Sequence, residues 1–249
     1  MISIQNLTKV FENGGGTHAL KDVSLEIETG DVFGIIGISG AGKSTLVRCV
    51  NLLERPTSGH IVVDGTDVTS LTGTELRAYR HRTAMIFQGF GLLAQKTALE
   101  NVCFPLGTGV FGRVTPQARE RALELLGRVG LADKADSYPA QLSGGQQQRV
   151  AIARALACNP TTILCDEATS ALDPASTVQI LDLLAEINRM TGVTMLIITH
   201  SMDVARRICK HVAVLVGGEV VETGATEDVF GDPKHKVTRA LLGMGDWDV

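Results

Sequence analysis

Apolar residues fall two apart near the start of the chain, at Ile2 and Ile4 and again at Val23, Leu25 and Ile27, the alternation of strands with one buried face. Asn13 to Gly16, an Asn-Gly-Gly-Gly run, separates them as a turn or loop. Val32–Ile36 is instead an unbroken apolar run, the mark of a parallel strand buried on both faces. A Gly-rich stretch follows, then a helical pattern over residues 43–53. Residues 61–63, followed by Asp64-Gly65, read as a hairpin strand, and residues 83–87 as another buried strand. Residues 89–159 are mostly helical. Their best-marked helix has Thr115 as N-cap, Pro116 at the first position and Gly130 beyond its end, with Leu123, Leu126 and Val129 predicted on one face. Alternation of strand and helix then resumes. Strands are predicted at 162–165, 194–199, 212–216 and 219–222, and helices at 174–190, opened by Asp173-Pro174, and 202–209. This order implies a mostly parallel sheet interrupted by a helical insertion.

Composition narrows the classes. The chain has 249 residues, 44% of them hydrophobic, and a net charge of -4, which suits one sizeable core and speaks against a nucleic-acid binder working through a broadly basic surface. Its longest apolar runs, such as 195–198 and 212–216, fall far short of the roughly 20 residues of a membrane-spanning helix. The N-terminus lacks a basic region followed by a long apolar stretch, so no secretory signal is expected, and the cytosol is the expected compartment. Five scattered cysteines without metal-ligand spacing are expected to be reduced, small buried hydrophobes. His18, His60, His81, His211 and His235 likewise have no metal-ligand spacing and read as surface or structural, and Trp247 reads as local packing.

Three segments carry chemistry. Gly37-Ile-Ser39-Gly40-Ala41-Gly42-Lys43-Ser44-Thr45 matches the phosphate-binding loop pattern, between a buried strand and a helix. Its glycines let backbone N–H groups turn toward a phosphate, and the helix N-terminus adds donors and a favourable dipole. Lys43 is expected to meet the β- and γ-phosphates of a nucleoside triphosphate, and the Ser44 hydroxyl to bind Mg²⁺. Residues 161–167 form an apolar strand ending in two carboxylates, expected at the sheet edge where such folds bind ligands. Asp166 is expected to hold Mg²⁺, directly or through water, and Glu167 to act as general base on the attacking water. Leu142-Ser143-Gly144-Gly145-Gln146 opens a second helix with glycines and a hydroxyl, an uncharged anion site that can lid a γ-phosphate.

Together these segments resemble an ABC-transporter nucleotide-binding domain over essentially the whole chain. The resemblance implies an α/β, RecA-like P-loop NTPase fold: a mostly parallel sheet, an N-terminal antiparallel β part and an inserted helical subdomain. Residues 1–249 then form one domain, with 1–88 and 160–249 as core and 89–159 as the helical subdomain that carries the signature. It also implies roles for further residues. Gln88 matches the glutamine that senses Mg²⁺ and contacts the membrane partner, Asp173 ends the D-loop, His200 is the switch histidine, and Phe11 sits where an aromatic stacks on adenine. One phosphate loop and one signature per chain imply a second copy, docked head to tail with ATP between them. An integral-membrane permease, indirectly a solute-binding protein, and a place on the cytoplasmic face of the membrane follow from the same likeness. Nucleic acid is not an expected partner.

Below the family level, residues 48–59 are similar to the ATPase subunits of amino-acid importers, and residues 136–139, 165–174, 199–204 and 207–209 to those of bacterial methionine importers. Two departures stand out. Ser201 occupies the place after the histidine where that group usually has Glu, and the sequence stops at Val249, where the group usually continues into a methionine-binding regulatory domain. ATP turnover insensitive to internal methionine is the matching expectation. An importer ATPase for polar amino acids or another small solute, and a soluble ABC protein acting away from transport, are the alternatives.

Overall fold

The computed structural model describes residues 1–12, 16–107 and 114–245. The loop positions 13–15 and Trp247, singled out above, lie outside the described residues.

The alternating N-terminal segments pair as expected. β1 (Ile2–Phe11) and β2 (Thr17–Ile27) are antiparallel, with Ile2 opposite Ile27 and Ile4 opposite Leu25. β3 (Val32–Ile36) leaves this layer and is buried at every position. It leads through the glycine-rich loop into α1 (Lys43–Val50). β4 (Ser58–Val63) returns to pair with β1, and β5 (Thr66–Asp67) folds back on β4. The turn between them is Asp64-Gly65, at φ +50° and +79°, the left-handed pair that a two-residue hairpin of matching twist requires. These strands form a four-stranded sheet in the order β2-β1-β4-β5.

α2 (Gly73–Arg82) brings the chain to β6 (Thr83–Ile86). The helical stretch follows as α3 (Ala98–Cys103), α4 (Pro116–Arg128) and α5 (Gly144–Leu156), joined by short 3₁₀ turns. α3 opens with a full capping box, Thr97 with Glu100, and α4 is capped by the Thr115 hydroxyl. The chain then re-enters the sheet as β7 (Thr162–Asp166), α6 (Pro174–Thr191), β8 (Thr194–Thr199), α7 (Met202–Ile208), β9 (His211–Val216) and β10 (Glu219–Ala225), and ends in α8 (Thr226–Gly231) and α9 (Lys236–Leu241).

The second sheet runs β10-β9-β3-β8-β7-β6, parallel throughout except for the antiparallel edge strand β10. Its strands look uniformly apolar because they serve two cores. Val32, Ile163, Met195 and Val212 join a cluster with α3 to α6, while Phe33, Leu164, Leu196 and Ala213 join one with α1 and the antiparallel sheet. All five cysteines are free, and four are buried. Cys158 is only half-buried and lies 3.1 Å from His81 Nδ1.

One helix face differs from the expectation. Leu123 is 41% exposed, and the face of α4 turned into the core is Ala122, Leu125, Leu126 and Val129. A helix advances about 100° per residue, so Leu123 sits a quarter-turn away from Ala122 and outside the arc covered by α3 and α5. Leu126→Ala should therefore lower unfolding free energy by about 2–5 kcal/mol. Leu123→Ala should cost under about 0.5 kcal/mol. Urea denaturation of the two variants checks this ordering.

Candidate functional site

The glycine-rich loop leaves β3 at the end of the parallel sheet and closes on itself before α1. Gly37, at φ +153°, lies where an added Cβ would fall 2.2 Å from the Leu215 carbonyl oxygen. Gly42, at φ +102°, would place one 2.3 Å from the Ala19 carbonyl oxygen. Both are pinned by backbone that cannot give way, whereas Gly40, at φ +78°, points its missing Cβ into open space. Ser39 and Gly40 form the exposed crest of the loop, and Ala41 is buried beneath it.

Lys43 is 5% exposed and turns back into the loop, where its ammonium donates to the carbonyls of Gly37 and Ile38, both at 2.8 Å. Burial lowers its pKa, and the carboxylates of Glu167 and Asp166 oppose that shift. The next residue, Ser44, donates its hydroxyl to Asp166 Oδ1 at 2.8 Å. Arg48, one turn further along α1, brings its guanidinium to 3.9 Å from the other Asp166 oxygen.

Asp166 and Glu167 are adjacent but held differently. Asp166 is the last residue of β7 and is buried. Glu167 steps out of the ladder at φ +49°, a left-handed conformation that costs a non-glycine residue on the order of 1–3 kcal/mol. Its backbone N–H is secured by the Ile198 carbonyl of β8 at 3.2 Å. The strained step swings its carboxylate over the sheet edge, where Gln88 Nε2 donates to Oε2 at 3.3 Å and His200 Nδ1 lies 3.4 Å from Oε1. Three residues from three sequence segments thus meet at one carboxylate, beside a small cavity of about 190 Å³ lined also by Ser170, Thr199 and Ser201.

Hard oxygen donors of the kind magnesium takes lie at the same end of the sheet. The Ser44 hydroxyl and Asp166 carboxylate are in contact, and Gln88, which donates through its amide nitrogen, keeps its side-chain carbonyl available. Among the described residues no group of three or more His, Cys, Asp or Glu side chains is placed to hold a metal ion, and the oxygens of Ser44, Asp166 and Gln88 are of the hard type that suits magnesium.

The remaining expected residues lie apart from this centre. Ser143 caps α5, accepting from the Gln146 N–H at 3.3 Å, while Gln146 Oε1 accepts from the Ser143 N–H at 2.9 Å. Ser143, Gly145 and Gln146 line a separate polar cavity with Arg149, Ser176 and Gln179, and no residue of the glycine-rich loop reaches it. Gly144 and Gly145 sit in the first turn of α5, and a Cβ on Gly145 would come within 3.1 Å of Ser176 Oγ. Asp173 caps α6 through Ser176, and hydrogen bonds from the Ser176 hydroxyl and N–H lower its pKa. Phe11 is half-buried at the end of β1, with the Lys9 ammonium 4.6 Å from its ring centroid. Thr45 follows Ser44 in the first turn of α1 and does not line the cavity beside Glu167.

Two residues that position the centre were not singled out from the sequence. Arg154, on α5, donates to the carbonyls of Gly91 at 2.7 Å and Phe90 at 3.1 Å, and burial lowers its pKa. Asn101, fully buried on α3, donates to the carbonyls of Leu93, Lys96 and Thr97 and accepts from the Leu93 N–H at 2.8 Å. Together they fasten the loop that follows Gln88. The only local sign of either is a polar residue inside an apolar helical run.

A family model described as "ABC transporter" matches residues 20–170. The methionine import ATP-binding protein of Photobacterium profundum is 55% identical over 243 residues, 97% of this chain and 70% of that protein. The protein of the same description from Caulobacter vibrioides is 54% identical over 249 residues, 100% of this chain and 74% of that protein. Among solved structures, a dimeric bacterial ABC transporter cassette superposes with a TM-score of 0.82 at 40% identity, covering 91% of this chain and 99% of its own. A dimeric ATP-binding cassette in a post-hydrolysis state with ADP and Pi gives 0.81 at 40% identity, with the same coverage.

Gly42→Ala should lower the melting temperature clearly more than Gly40→Ala. Both glycines have positive φ, but only at Gly42 does the new Cβ also strike a fixed carbonyl. Calorimetric melts of the two variants separate backbone strain from collision.

Proposed function

The chain belongs to the ABC transporter family, and on that premise we propose that it is the ATP-hydrolysing subunit of an importer that takes up methionine through a separate membrane permease. The observation that carries the catalytic part is the Glu167 carboxylate held between Gln88 and His200, beside the Ser44–Asp166 contact. The substrate rests on likeness to methionine import ATP-binding proteins over nearly the whole chain.

ATP binds with its phosphates against the loop from Gly37 to Thr45, Lys43 meeting the β- and γ-phosphates and Phe11 stacking on adenine. Ser44, Asp166 and Gln88 hold Mg²⁺, which when bound supplies charge neutralisation at those phosphates. Glu167 takes a proton from water as the water oxygen attacks the γ-phosphorus, and the bond to the bridging oxygen of ADP breaks. His200, against the other oxygen of Glu167, keeps that carboxylate aimed at the water. The signature Ser143, Gly144, Gly145 and Gln146, with Asp173, serves the nucleotide of a second copy docked head to tail, because within one chain it lies apart from the loop. The dimeric cassettes among solved structures support that pairing.

Residues 89–159 act as a unit that moves against the core of 1–88 and 160–249. Gln88 lies at the joint, and Arg154 and Asn101 tie its loop to that unit. The loop is the route by which closure of the dimer reaches the permease, and a solute-binding protein takes part only indirectly. By likeness to import ATP-binding proteins, the chain attaches to the cytoplasmic face through the permease; among the described residues no helix is long and apolar enough to cross a membrane.

In vesicles carrying the chain with its permease and solute-binding protein, labelled methionine should accumulate in competition with other amino acids when ATP is supplied. Glu167→Gln should abolish accumulation and slow hydrolysis by on the order of 10²–10⁴-fold while leaving ATP affinity nearly unchanged. Wild-type turnover in this variant removes Glu167 from the base role, and accumulation of a different amino acid removes methionine.

Ser143→Arg should leave ATP binding to the single chain intact and prevent ATP-driven dimerisation. The added cation would sit at a helix N-terminus that must receive the partner's γ-phosphate. Gel filtration with ATP reads the result, and normal dimerisation contradicts the shared-site arrangement.

A further inference from the structure

A cavity of about 670 Å³ opens at the edge of the parallel sheet opposite the glycine-rich loop. One wall comes from α4 and the end of α5, the other from α6 and the segments entering β7 and β8. Leu125, Val129, Leu156, Leu183, Ile187 and Val193 make the wall apolar, with Met190, 66% exposed, at the mouth. None of the residues given a role with ATP lines it. Its size and lining are those of a small-molecule site.

The rim is charged unevenly. Arg121 donates to Glu124 Oε2 at 2.8 Å and to Asn159 Oδ1 at 2.9 Å, and Arg128 donates to Glu124 Oε1 at 2.7 Å. These two guanidiniums share one carboxylate, which leaves the α4 side of the rim positive. Across the mouth, Glu186 of α6 is exposed and makes no hydrogen bond or ion pair among the described residues. α4, α5 and α6 all end here, at Arg128, Leu156 and Thr191, and helix C-termini carry partial negative charge. The α6 side is therefore the open negative position, next to an apolar wall.

We propose that this cavity binds an amphipathic cation, an apolar body with one ammonium group directed at Glu186, and that its occupation restrains ATP turnover. The coupling has a structural basis. α5 begins at the signature, α6 is capped by Asp173, and β8 ends next to His200, so three elements that reach the ATP-binding residues have their opposite ends at this cavity. A ligand wedged between α4 and α6 joins the helical unit to the core and resists their relative movement. The coupling rests on the ATPase reading, but the binding does not.

Calorimetry of the whole chain with decyltrimethylammonium, set against decanoate and both below their micelle concentrations, tests the proposal. The cation should bind saturably at one site, about tenfold tighter than the anion. Glu186→Gln should weaken it by about two- to fivefold, the worth of an exposed ion pair. Leu183→Trp should abolish binding by filling the cavity, and Met190→Trp at the exposed mouth does the same should the Leu183 variant fail to fold. ATP turnover should fall as the cation saturates wild type and stay level in Met190→Trp. No saturable binding, equal or tighter binding of decanoate, or binding retained in Met190→Trp overturns the site. Saturable binding with unchanged turnover overturns the coupling. The binding arm contains no ATP, so its failure is distinct from a failure of the ATPase reading.

Discussion

Five consecutive residues, Val32–Ile36, have to bury both faces of one strand at once, and the rest of the molecule is arranged around that requirement. Val32 and Ile36 face the cluster under the helices, while Phe33 and Ile35 face the cluster under the antiparallel sheet. Gly34 keeps this packing possible, since a Cβ there would lie 2.9 Å from Cys209 Sγ. Flanked by β8 and β9 in parallel ladders, β3 has little freedom to move. The glycine-rich loop grows from its end, and the carbonyls of Leu215 and Ala19 press on Gly37 and Gly42. The phosphate-binding role proposed for this loop requires a rigid backbone, and β3 supplies the rigidity.

The charges near the loop are mutually dependent. Lys43 is buried against carbonyls, which on its own favours loss of its proton, and the nearby Asp166 and Glu167 hold the charge in place. Asp166 is kept close by Ser44, and Glu167 is pushed outward by a left-handed backbone step fastened to β8. Strain at Glu167 is the local cost of presenting one carboxylate to Gln88 and His200 while its neighbour stays buried. This gives two consecutive carboxylates different settings, one buried against Ser44 and the other at the sheet edge beside Gln88 and His200.

α5 connects two distant tasks. Its first turn presents Ser143 and Gln146, and near its other end Arg154 grips the carbonyls of Phe90 and Gly91. Hydrogen bonds from a charged donor are among the stronger ones available to a protein, about 1.5–3 kcal/mol each. Asn101 of α3 adds four more contacts to the same loop. The signature and the segment after Gln88 are thereby parts of one body, so a displacement of one is passed to the other without a flexible step between them.

Local chemistry made much of this legible in the chain itself. The glycines around Lys43, the strand ending in Asp166 and Glu167, and the caps Thr115, Ser143 and Asp173 act over a few residues, so their spacing reveals them. The alternation in β1 and β2 and the unbroken runs of β3, β7 and β8 give the two sheets, because one- and two-sided burial leave different periods. Other features belong to the tertiary structure alone. Which face of α4 is buried depends on where α3 and α5 lie, and a stripe through Leu123 looked equally suitable in sequence. Arg154 and Asn101 pass for ordinary helix residues until the loop they hold is folded against them. Gln88, Glu167 and His200 are separated by long stretches of chain, and only the parallel order of β6, β7 and β8 brings their strand ends side by side. Sequence determines what acts over a few residues. Contacts across the sheet are decided by packing, because burial rewards only the total apolar surface removed from water and leaves the choice of neighbours to shape.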